Sequence, residues 1–177
     1  MRSGETLIRT MRFTSMEKSV YDDLLRWKRS GDRKPLLLEG IKQSGRTFLL
    51  RYLGEKNYED TAYFNFRDAP ELSDIFDKDP DPKRIVRELA SMRSKDIGPA
   101  RTLIILDEIQ FCNRALASMR SFCDDAPEYH VACGGSMGMM LSDPGAFPVG
   151  KVVRMRIGPK DFKDFLAAEQ IEEESYC

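Results

Sequence analysis

Apolar residues follow two periods along this chain, and the periods alternate. From Met16 to Trp27 the residues Met16, Val20, Leu24, Leu25 and Trp27 recur at helical spacing with charges between them, predicting an amphipathic helix ended by Gly31 and Asp32. Leu36, Leu37 and Leu38 then run continuously between Pro35 and Gly40, as in a strand covered on both faces. Phe48, Leu49, Leu50, Tyr52 and Leu53 return to helical spacing and predict a helix stopping near Gly54. Thr61 to Phe66, aromatic-rich and of strand length, reads as a second strand.

The second half repeats the alternation. Residues Arg67 to Pro82, acidic and broken by prolines, read as a loop with one short helical turn around Glu71 to Phe76. Pro82 suits the first turn of a helix reaching about Arg93. Leu103 to Leu106, the most apolar run, predicts a third buried strand with Asp107 and Glu108 at its carboxyl end. Arg114 to Cys123 is helical in spacing, Tyr129 to Cys133 a fourth strand closed by Gly134, Gly135 and Ser136, and Val152 to Ile157 a fifth. Alternation in that last strand puts Arg154 and Arg156 on one side, where a solvated edge is the simpler reading than a role in catalysis. Asp161, with Asp164 three residues on, is placed as a near capping box opening the final helix. Strands alternating with helices predict an α/β fold, a parallel five-stranded sheet flanked by helices, whose ligands bind at the carboxyl ends of the strands. The expected organisation is an N-terminal helical segment (1–34) packed on a core (35–168), followed by an acidic tail (169–177).

Composition narrows the function classes. A chain of 177 residues is long enough to bury roughly 70% of its unfolded surface. No apolar run approaches the roughly 18 residues of a membrane span, and Met1 to Lys18 lacks the continuous apolar segment of a secretory signal, so a cytoplasmic protein is expected. A net charge of −1 offers no general attraction for nucleic acid. Cys112, Cys123, Cys133 and Cys177 show no Cys-x-x-Cys spacing, and His130 is the only histidine, which argues for reduced thiols rather than a zinc site or disulfides. Asp77, Asp79, Asp81 and Glu88 match four positions of a calcium loop, but Pro82 stands where that loop needs glycine for its turn.

One octapeptide carries chemistry. Gly40-Ile41-Lys42-Gln43-Ser44-Gly45-Arg46-Thr47 has the outline of a phosphate-binding loop, Gly-x-x-x-x-Gly-Lys-Ser/Thr, with arginine in place of lysine. Such a loop holds a nucleotide triphosphate through successive backbone N–H groups and a helix N-terminus, here running on to Phe48. The strand before it and the helix after it supply the required context. Thr47 is the candidate Mg²⁺ ligand together with Asp107, and Glu108 the candidate base that orients and deprotonates water. A guanidinium is larger, planar and directional where an ammonium is compact, so Arg46 should displace the γ-phosphate or be pushed aside, leaving binding with hydrolysis slowed or absent. Ser136 is a candidate contact to the γ-phosphate or the water.

These segments resemble a known family. LLLEGIKQSGRTFLLRYLG, TLIILDEIQ, ASMRSFCDDAPEYHVACGGSMGMML and FPVGKVVRMRIGPKDFKDFL are similar to prokaryotic AAA+-like ATPases that read LLLEGARQVGKT, LIFLDEIQ, DAPEYHVIAAGS and FPVGKV, over about residues 17 to 168. The resemblance implies a P-loop NTPase fold of the AAA+/ASCE type and ATP with Mg²⁺ as ligands. It places Gly40, Gly45, Arg46 and Thr47 in the nucleotide loop, Asp107 at the metal, Glu108 at the base and Ser136 at the sensor position. It leaves self-association or a protein partner open, and implies neither membrane nor nucleic acid as a partner. Two departures stand out: Arg46 for lysine, and Gly134 for a small apolar residue beside the sensor. Members usually continue into a helical region and a C-terminal nuclease-like domain, whereas this sequence ends soon after Leu166 and supplies no nuclease site. The rival reading is a degenerate module whose site serves binding or interaction rather than turnover.

Overall fold

The structure is a computed structural model that describes residues 19–41, 44–136 and 147–171. Five strands, β1 (Leu36–Gly40), β2 (Asp60–Asn65), β3 (Thr102–Asp107), β4 (His130–Ser136) and β5 (Val153–Ile157), form one sheet in the order β2-β3-β4-β1-β5. Every pairing in it is parallel. The chain leaves β1, skips two strand positions to build β2, and then steps back through β3 to β4, which lands beside β1. That return brings the carboxyl ends of β1, β4 and β3 side by side, with Gly40 in register with Ser136 and Leu106 with Cys133.

The continuous apolar runs of β1 and β3 follow from burial on both faces, since all residues of both strands are buried. On one face α1 (Val20–Arg29), α2 (Arg46–Asn57) and α6 (Pro159–Ala168) pack over Leu36, Leu38, Leu103, Ile105, Ala132 and Ile157. On the other, α3 (Ser73–Phe76), α4 (Pro82–Arg93) and α5 (Asn113–Asp125) pack over Leu37, Phe64, Ile104, Leu106, Val131 and Cys133. Phe165 is fully buried among the rings of Tyr21, Phe48, Tyr52 and Phe162. Trp27 ties α1 to the sheet through Nε1, which donates to the Lys34 carbonyl at 2.7 Å.

Several boundaries differ from the sequence reading, each for a local reason. The first helix is capped at Ser19, whose hydroxyl accepts from Asp22 N–H while the Asp22 carboxylate accepts from Ser19 N–H; Met16 lies outside the described residues. The helix after the loop does not stop at Gly54 but continues to Asn57. Gly54 is there for packing, since a Cβ on it would lie 2.3 Å from the Thr61 hydroxyl where the helix crosses β2. Strand β4 runs on through Gly134 and Gly135 to Ser136. Asp161 sits inside the first turn of α6 rather than capping it, and its carboxylate accepts from the Gly158 N–H at 2.6 Å. The acidic stretch around Asp79 is held by cations of the chain itself. Arg84 pairs with Asp79 and Glu88, Lys78 pairs with Glu88, and Asp81 caps α4.

Candidate functional site

At the carboxyl edge of β1 the backbone turns into α2 with the form the motif predicts. The Ser44 N–H donates to the Ile41 carbonyl at 3.2 Å, tightening the turn, and Gly45 takes a left-handed φ of +77° just before the helix begins at Arg46. A side chain at Gly45 is excluded twice, by that φ and by the Phe162 ring, which a Cβ would meet at 2.2 Å. Ser44 is 1% exposed, and its Oγ has no hydrogen-bond partner among the described residues. It packs against Gly40, where a Cβ would come within 2.3 Å of it. Ile41 is half exposed, and Lys42 and Gln43 lie outside the described residues. Phe48 turns its ring toward Tyr52 and Phe162, so only its backbone faces the loop's task.

Arg46 does not reach outward from the loop. Its guanidinium, 8% exposed, folds back across the strand ends. Nη1 donates to the carbonyls of Gly40 at 3.1 Å and Gly135 at 2.6 Å, and Nη2 donates to Glu108 Oε1 at 2.5 Å. Nε lies 3.6 Å from Asp107 Oδ1, an ion-pair distance too long for a hydrogen bond, and finds no hydrogen-bond partner among the described residues.

The two carboxylates are correspondingly committed. Asp107 is fully buried. Its Oδ2 accepts from the Thr47 hydroxyl at 2.5 Å and from the Tyr63 hydroxyl at 2.8 Å, and its Oδ1 from the Glu108 N–H at 2.9 Å. Burial, and then the Asp107 charge, push the Tyr63 hydroxyl well up, so it stays protonated and donates. Glu108 sits at a left-handed φ of 56°, an uncommon conformation for a residue with a side chain. Its second oxygen accepts from Gln110 Nε2 at 2.8 Å, and Arg67 Nε stands 4.0 Å away. Gln110 also bridges to β4, where the Ser136 N–H donates to its Oε1 at 3.3 Å.

The structure therefore brings Gly40, Ser44, Gly45, Arg46, Thr47, Asp107, Glu108 and Ser136 into one cluster, and adds Tyr63, Gln110, Arg67 and the Gly135 carbonyl. Gln110 stood in the segment TLIILDEIQ, two residues after Glu108, and that nearness along the chain was the signal that could have found it. Tyr63 was not, because nothing in the sequence says that β2 neighbours β3.

A model of the AAA domain matches residues 32–166, about three quarters of the chain. The chain belongs to the AAA domain family. Its α/β fold, with a five-stranded parallel sheet and flanking helices, is that of a P-loop AAA-like ATPase domain. No curated protein matches it. Among solved structures it is similar to the Walker-type ATPase PABY2304 of Pyrococcus abyssi, at 14% identity and a TM-score of 0.49, over 86% of this chain and 58% of that one. No helix among the described residues is long and apolar enough to cross a membrane.

AAA domains typically use a nucleotide with Mg²⁺, and the two halves of that ligand fare differently against this site. The strand, the left-handed Gly45 and the buried Ser44 Oγ fit a phosphate cradle at a helix N-terminus. Direct coordination of Mg²⁺ by Asp107 does not fit while the side chains stand as they do. Both Asp107 oxygens already have protein donors. A divalent cation on that carboxylate would come within roughly 5 Å of the guanidinium, a repulsion of about 7 kcal/mol at an effective dielectric near 20. Among the described residues no group of three or more His, Cys, Asp or Glu side chains is placed to hold a metal.

Proposed function

We propose that this AAA domain binds ATP through the loop Gly40–Thr47 and does not hydrolyse it, because the group that would activate water is tied down. The observation that carries the reading is the 2.5 Å bond from Arg46 Nη2 to Glu108 Oε1. A general base must present a free lone pair within reach of the water it deprotonates. Here one Glu108 oxygen faces a guanidinium and the other an amide, and releasing it means parting a half-buried ion pair. Binding asks for less. The N-terminus of α2 and the orphaned Ser44 hydroxyl can face an anion without moving Glu108. Ser136, in register with Gly40, is close enough to the loop to sense what is bound there. ATP, rather than GTP, follows from the family and from the absence of an Asn-Lys-x-Asp guanine-reading motif.

Calorimetric titration with ATP, run beside a phosphate-release assay with Mg²⁺ present, tests this. The native chain should bind ATP and release phosphate only at background. Arg46→Lys removes the fork from Glu108 and should raise release by about 100-fold, a gain that Glu108→Gln in the same chain abolishes. Turnover by the native chain that vanishes in Glu108→Gln would contradict the reading. Failure of both chains to bind ATP would leave an interaction module as the surviving alternative.

A further inference from the structure

We infer that the Arg46 guanidinium is the resident cation of this site, and that the domain takes its nucleotide polyphosphate without a divalent metal. The inference rests on the reading that the loop binds ATP and adds how it does so. Arg46 is held in place by the Gly40 and Gly135 carbonyls and Glu108, with Asp107 at ion-pair distance. It thus lies against Asp107, the carboxylate that a metal would need, and against Glu108, the candidate base.

The second departure from the family pattern makes room for the first. A Cβ added at Gly134 would stand 2.5 Å from Asp107 Oδ1 and 3.2 Å from Arg46 Nε. A side chain there would push the carboxylate or the guanidinium out of position, so glycine is what allows the arginine to lie across the strand ends. Two differences that look independent in the sequence are one adaptation in the fold.

The site also has donors left to use. Three buried side-chain polar atoms lack a hydrogen-bond partner among the described residues, and two of them, Ser44 Oγ and Arg46 Nε, are here. Both can donate, and so suit an anionic oxygen better than they suit a metal ion.

The test is ATP affinity of the whole chain by calorimetry, with Mg²⁺ in excess and with EDTA in excess. The native chain should bind equally in both, within about twofold, whereas Arg46→Lys should bind about tenfold more tightly with Mg²⁺ than without. Gly134→Ala, checked for folding by thermal melting, should also acquire a metal preference as its Cβ displaces the guanidinium. A native affinity that drops about tenfold in EDTA would overturn the inference and leave ATP binding standing. Binding in neither condition would overturn both. An Arg46→Lys chain that is equally indifferent to metal would show that the guanidinium is not the substitute.

Discussion

Among the described residues two carboxylates are buried beside arginines, Asp107 and Glu39, and they are treated differently. Asp107, at the end of interior strand β3, faces Arg46, which is 8% exposed and fixed by neighbours on three strands. Glu39, 1% exposed on β1, faces Arg154 and Arg156, whose side chains are 39% and 68% exposed on edge strand β5. Arg154 grips both Glu39 oxygens at 2.9 and 3.0 Å, and Arg156 stands 3.7 Å away. The chemistry is the same, but the edge position lets solvent reach the Glu39 cations, and a second arginine stands by if one is lost. Arg46 has no such substitute. An ion pair is indispensable where the remaining partner has no water to turn to.

That contrast can be broken or sharpened by substitution, with stability measured by urea unfolding. Arg46→Ala should cost about 3–5 kcal/mol, because it strands buried Asp107 without a counter-charge and leaves Glu108 only the exposed Arg67 at 4.0 Å, and added Mg²⁺ should restore part of the loss. A cost under about 1 kcal/mol would put the two clusters on the same footing. Gly134→Ala should cost about 1–3 kcal/mol as overpacking, and less in an Arg46→Lys background, where the compact ammonium leaves room. Arg154→Ala should cost about 1 kcal/mol and lose even that at high salt, since Arg156 and water cover Glu39. Arg156→Ala should stay within about 0.5 kcal/mol.

These measurements belong above pH 7, for a reason at the opposite end of β4. His130 is buried against Tyr58 and Trp27, and burial, then Arg33 and Lys28, hold its pKa down to about 4 from the usual 6.5. The unfolded chain therefore takes up the proton first. The His130 contribution to stability should be lost as pH drops from about 6.5 to about 4, and His130→Gln should flatten that stretch of the profile.

The strands were readable because β1 and β3 each hold a continuous apolar run, Leu36 to Leu38 and Leu103 to Leu106, and the loop because its glycines and Thr47 are spaced for phosphate. The inward turn of Arg46 was not readable. It depends on Gly134, 88 positions away, lying beside Asp107, and on two carbonyls that carry no side-chain signal. Sequence reasoning asked whether arginine could replace lysine toward phosphate. The packing instead sets it toward the acids. Gly54 misled in the opposite way, since a glycine that ends many helices here lets one pass close to Thr61.

A double-mutant cycle between Arg46 and Glu108, built from Arg46→Ala, Glu108→Gln and the double variant, addresses the Arg46–Glu108 bond itself. A coupling of about 1.5 kcal/mol or more is predicted from a 2.5 Å contact between partly buried groups. Additivity within about 0.3–0.5 kcal/mol would contradict the account, because Glu108 would then be free to serve as a base.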